Sequence, residues 1–160
     1  MTGDVLRCVT VNDMSERKRQ GQPVRETTSF RLSPNMLGRL DSRAALLGIT
    51  RTTLAERFLE EGIRLVEHPG IVFTDGTQGE RRATIAGTRL DVWMVVEVIR
   101  ASNSSLHGAA DYLQIPVHWV DAAARYYAAH PDEIDEEIRL NDEFAEREMR
   151  LAAEQRRLFG

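Results

Sequence analysis

One short alternating run limits what this chain can fold into. In Thr27-Thr28-Ser29-Phe30-Arg31-Leu32, the residues Thr28, Phe30 and Leu32 fall on one face and Thr27, Ser29 and Arg31 on the other, the period of a strand. It stops at Ser33-Pro34, a helix start with serine as N-cap and proline at the first helical position. A helix is predicted to follow with Met36, Leu37, Leu40, Ala44 and Leu47 on its apolar side, closed by Gly48. A second helix, capped by Thr50 and running over about 51–66, shows Leu54, Phe58, Leu59, Ile63 and Val66. A lone strand has no ladder partner, and its N–H and C=O groups cannot stay unpaired beside an apolar core. The simplest solution is the same strand of a second copy. That predicts a two-stranded antiparallel ribbon over four helices, and with it a homodimer.

Charge divides along the chain. The total is −4, but through Arg64 there are eleven basic residues against eight acidic, and beyond it ten against seventeen. A basic first part suits phosphate backbones, and an acidic remainder suits something else. No run of eighteen apolar residues exists, so no membrane span is expected. Residues 1–11 are too weakly apolar for a secretory signal. The one cysteine, Cys8, cannot form an internal disulfide, and a cytoplasmic location is expected. Residues 1–26 read as a flexible extension, with Met14 as an alternative translation start. The cluster Arg17-Lys18-Arg19 is either solvated or an arm touching DNA phosphates.

Through TTSFRLSP, the short helix ending in LLG, and ITRTTLAERFLEEGIRL, residues 27–67 resemble the ribbon-helix-helix fold of Arc-, MetJ- and CopG-type repressors and of many antitoxins. The resemblance implies that the outward strand residues Thr27, Ser29 and Arg31 enter the major groove of operator double-stranded DNA. Arg31 is the strongest base reader of the three, able to donate two hydrogen bonds to a guanine edge. Thr50, Arg51 and Thr52, at the start of the second helix, would hold a phosphate through free N–H groups and the helix dipole. The plainer alternative is a solvated strand face and an ordinary cap.

Residues 68–131 form a further module. Ile71-Val72-Phe73-Thr74 and Arg81-Arg82-Ala83-Thr84-Ile85 read as two strands of a hairpin. The glycine-containing loop between them lacks the lysine and hydroxyl residue of a P-loop. Helices are predicted over 91–101, from Ser104 or Ser105 through 113, and over 117–129, the last two joined at Ile115-Pro116 in the outline of a helix-turn-helix. Its second helix offers His118, Trp119, Asp121, Arg125, Tyr126 and Tyr127, a set better suited to packing or a protein contact than to a second DNA reader. AGTRLDVWMVVEVI and AADYLQIPVHWVDAAARYYAAHPDEI resemble the module numbered 433 among domains of unknown function, centred on Gly87-Thr88-Arg89. The resemblance covers about residues 68–138. Such modules accompany toxin–antitoxin pairs, and with the ribbon-helix-helix the arrangement resembles a VapB-type antitoxin. That implies a cognate toxin of the PIN-like ribonuclease kind as partner.

Residues 132–160 read as one long amphipathic helix. Its acids, Asp132, Glu133, Asp135, Glu136 and Glu137, suit the positive end of the dipole, and no histidine or cysteine among them suggests a metal. Ile134, Ile138, Ala145, Met149 and Ala152 form one stripe that could face the chain's own core. Leu140, Phe144, Leu151 and Leu158 form a second, which suggests a partner groove. Arg147, Arg150, Arg156 and Arg157 are candidates to pair with the metal-binding carboxylates that the resemblance implies in the toxin.

The expected fold is therefore mainly α with minor β: an intertwined ribbon-helix-helix dimer, a hairpin with a small helix-turn-helix-like domain, and a long C-terminal helix. The expected function is an antitoxin and autorepressor, with a stand-alone repressor as the alternative. No cofactor is expected, and no enzyme: His68, His107, His118 and His130 show no metal spacing, and the acids bunch on one helix.

Overall fold

The computed structural model describes residues 29–76 and 80–159. Among these it holds six helices and one two-stranded antiparallel sheet, the mainly helical class expected. The chain divides into two units, 1–39 and 40–160.

In the first unit, residues 29–32 are irregular instead of the strand that their alternation predicts. A strand exists only through its ladder, and the partner that the pattern calls for is a second copy. Thr27 and Thr28 lie outside the described residues. Ser33 caps α1 (Pro34–Leu47): its Oγ accepts from the Met36 N–H at 3.3 Å and its carbonyl from the Leu37 N–H at 3.0 Å.

The second unit opens with the end of α1. Gly48, at φ +66°, donates to the Ala45 carbonyl, and Ile49 donates to the Ala44 carbonyl, the paired bonds of a Schellman stop. Thr50 then caps α2 (Arg51–Glu67) by accepting from the Thr53 N–H at 3.1 Å. The chain turns into the hairpin at Gly70, φ +99°. A Cβ there would sit 2.5 Å from the Trp119 ring, so conformation and space both require glycine.

Strands β1 (Ile71–Asp75) and β2 (Arg81–Ile85) pair with Ile71 opposite Ile85 and Phe73 opposite Ala83. The Gly-Thr-Arg motif is the corner after β2. The Thr88 hydroxyl donates to the Ile85 carbonyl and accepts from the Leu90 N–H, while Arg89 is exposed. Then come α3 (Val92–Ala101), α4 (Leu106–Leu113), α5 (Val117–Ala129) and α6 (Pro131–Phe159). Ser105 caps α4, and Gln114 in the left-handed region ends it before Pro116.

The core gathers Ile71, Ala83, Ile85, Val92, Val95, Val96, Ala109, Val120, Ala123 and Tyr126, closed by Ile134 and Ile138 of α6. Each large aliphatic side chain so buried contributes roughly 1.5–3 kcal/mol. The first stripe of α6 therefore meets the core only in its opening turns. From Asp142 through Phe159 every residue is exposed, including Ala145, Met149 and Ala152. No helix among the described residues is long and apolar enough to cross a membrane.

Candidate nucleic-acid and partner interfaces

Ser29 and Arg31, in the first unit, are both exposed. In the second unit, Thr50, Arg51 and Thr52 stand together at the first turn of α2, all exposed. The Thr50 hydroxyl is engaged with Thr53, as an ordinary cap would be. The Arg51 and Thr52 N–H groups, at the first two positions of a 17-residue helix, have no acceptor within it. Arg51 reaches back to Asp41 at 3.2 Å, an exposed ion pair weak enough for a phosphate to displace. Thr27 lies outside the described residues.

The face of α2 above this cap is apolar and open. Leu54 is buried, whereas Phe58, Leu59, Ile63 and Val66 are exposed, Val66 to 80%. One side of the helix thus meets its own unit, and a broad apolar side is left largely uncovered by the described residues.

What fastens α2 to the second unit is polar, and sequence reasoning missed it. Arg64 donates to Glu60 (2.8 Å), to the Tyr126 hydroxyl (2.9 Å) and to Glu133 at the start of α6 (2.5 Å), while Tyr126 also donates to Glu133 (2.7 Å). Burial works against the Arg64 charge, but Glu133 and Tyr126 more than offset it and hold the guanidinium firmly protonated. Burial and the Glu133 carboxylate push the Tyr126 phenol above its ordinary range. Beside it, His68 meets the Tyr126 ring edge-on and His130 lies tilted against it, and burial with the Arg64 charge lowers the His130 pKa. Arg81 makes a two-pronged pair with Glu61, both bonds 2.8 Å. A cleft of about 200 Å³ lies between these groups; two of the three arginines that line it, Arg64 and Arg81, already hold carboxylates, and Arg57 is the third. It works as a clasp between α2, the hairpin and α6.

Of the acids that open α6, Glu133 and Asp135 serve the same purpose, while Glu136 pairs within the helix. Glu133 holds Arg64, Asp135 holds Arg100 (2.6 Å) and Tyr127, and Glu136 and Glu143 hold Arg139. Dipole complementarity is thus only part of their role. Glu137 differs: half-buried with one oxygen unpartnered, its carboxyl is pushed up to about 7 by burial and by nearby Glu133. No group of three or more metal-ligating side chains gathers among the described residues.

The helix-turn-helix outline is present in α4 and α5, with its aromatics turned to packing. Tyr126 is fully buried, Trp119 covers Gly70, and Arg125 pairs with Asp121 at 2.8 Å.

The partner candidates lie along distal α6. Leu140, Phe144, Leu151 and Leu158 are between 47% and 73% exposed. At about 100° per residue they share one side, roughly 140° around the helix from the Ile134 and Ile138 side. Arg150 folds onto Glu146, and Arg156 donates to the Ala152 carbonyl. Arg147 and Arg157 have no ion pair among the described residues. No family model, characterised protein or solved structure matches this chain.

Proposed function

We propose that the chain is the antitoxin of a toxin–antitoxin pair, a homodimer that binds operator DNA through its first part and masks a PIN-like ribonuclease with α6. The observation that carries this reading is the two-part character of α6. Its opening turns are locked onto the core, and its last eighteen residues bear an apolar stripe and arginines that none of the described residues covers. The open face of α2 supports the dimer, since a second copy of the irregular 29–32 segment and of α2 would supply both a ladder partner and an apolar cover.

In this reading Arg31 donates to a guanine edge, with Thr27 and Ser29 beside it. The Arg51 and Thr52 amides anchor a phosphate next to Thr50. On the toxin, Leu140, Phe144, Leu151 and Leu158 seat the helix. Arg147, Arg150, Arg156 and Arg157 pair with carboxylates that would otherwise hold Mg²⁺ or Mn²⁺.

Co-expression with the small reading frame beside the gene tests the proposal. The full chain should co-purify with that product and restore growth, and a chain ended at Asn141, which keeps Ile134 and Ile138, should do neither. Full protection by the shortened chain would overturn the role of α6. Operator binding with no neighbour to neutralise would return the chain to a stand-alone repressor.

A further inference from the structure

We infer that distal α6 is self-complementary and pairs antiparallel with α6 of a second copy whenever no other protein covers it. The inference rests on the reading above for the stripe being a protein-binding face, and it names what hides that face before a toxin arrives.

Two charges interrupt the stripe. At about 100° per residue, Leu140, Phe144, Arg147, Leu151, Glu154 and Leu158 fall within a strip roughly 80° wide. Neighbouring arginines are satisfied within the helix, Arg139 by Glu136 and Glu143, and Arg150 by Glu146. Arg147 and Glu154, seven residues apart on the apolar side, have no ion pair among the described residues. An uncovered seam that carries one charge of each sign is asking for a partner with the same two charges in reverse order.

A second copy meets that requirement in one orientation only. With a two-fold axis beside Leu151, Phe144 lies about 10 Å to one side and Leu158 about 10 Å to the other, so each faces the other across the pair. Arg147 stands about 6 Å before the axis and Glu154 about 4.5 Å beyond it, which puts them within side-chain reach of each other twice over. Leu151 meets its own copy at the centre. A parallel pair would instead set Arg147 against Arg147 and Glu154 against Glu154, and like charges in a helical seam oppose association.

Cysteine cross-linking of toxin-free protein tests this, in a Cys8→Ser background so that introduced thiols are the only ones. An equimolar mixture of Phe144→Cys and Leu158→Cys chains should give mainly the 144–158 disulfide, several-fold above a mixture in which Glu146→Cys, on the far side of the helix, replaces Phe144→Cys. Adding Arg147→Glu to both chains should reduce the product several-fold, and adding Glu154→Arg as well should restore it. These positions are exposed, and an unchanged far-ultraviolet circular dichroism spectrum checks that the helix is intact. A predominance of 144–144 linkage, a yield no higher than the control, or indifference to the charge reversal would each overturn the pairing. Because no toxin is present, failure here leaves the neutralisation reading standing, and failure of co-purification leaves the pairing standing.

Discussion

Arg64 joins three elements through one guanidinium, and its loss leaves Glu133 half-buried without its cation. Arg64→Ala is expected to cost about 2 kcal/mol of unfolding free energy in urea titration, with Arg64→Lys recovering only part because an ammonium lacks the planar fork. A loss under about 0.5 kcal/mol would show that the clasp is idle. Nothing in the sequence marks this contact: its partners lie 62 and 69 positions away, and local periodicity shows Arg64 only as a polar residue near a helix end. Glu137 gives a signature in pH. Its folded carboxyl keeps a proton to about pH 7, whereas in the unfolded chain it titrates at its ordinary 4.5. Between those values the folded state binds more protons, so this contribution is complete below about pH 4.5 and lost as pH rises through about 7. Glu137→Gln should flatten that decline and raise stability at about pH 8 by roughly 1–2 kcal/mol. An unchanged slope in thermal melts across this range would rule the assignment out.

At the scale of elements, local chemistry was legible and burial was not. Ser33 and Thr50 are readable as caps, and Ser105 as one of two candidates with Ser104, because a cap is settled within three residues, and the hairpin and helix bounds follow closely from the same signals. The 27–32 run and the burial of α6 depend on what lies opposite, which no local pattern states. Two glycines separate the parts of a turn's cost. Gly48→Ala meets no neighbour within 4 Å and should cost about 1 kcal/mol through its backbone alone. Gly70→Ala adds a collision with Trp119, so its melting temperature should fall further; equal losses would contradict the packing. The division of α6 predicts a similar contrast. Ending the chain at Asn141 should leave thermal stability nearly unchanged, while ending it at Ala129 removes Ile134 and Ile138 and should cost roughly 4 kcal/mol or more.

For the whole molecule, the open face of α2 decides whether one chain is the working unit. Ile63→Glu places a charge in the centre of that face; in a chain ended at Asn141, which lacks the distal α6 pairing, sedimentation should show a shift to monomer, and on the proposed reading operator binding should be lost with it. A dimer of unchanged affinity would move the interface elsewhere. In the sequence it is the alternation of 27–32 that suggests a second copy, whereas the proposal of a second copy on α6 depends on which side of that helix the core leaves bare. The single helix α6 also spans two regimes of backbone stability. Amides near Ile138 open only with the core, while those from Asp142 onward are held by helix propensity alone, with i,i+4 ion pairs worth a few tenths of a kcal/mol each. In protein dilute enough for distal α6 to be unpaired, hydrogen exchange should therefore fall from near-global protection to almost none along one continuous helix, and pairing should restore protection to the distal turns. A protease would find its first cut there, and whatever binds the distal turns would act as their folding partner.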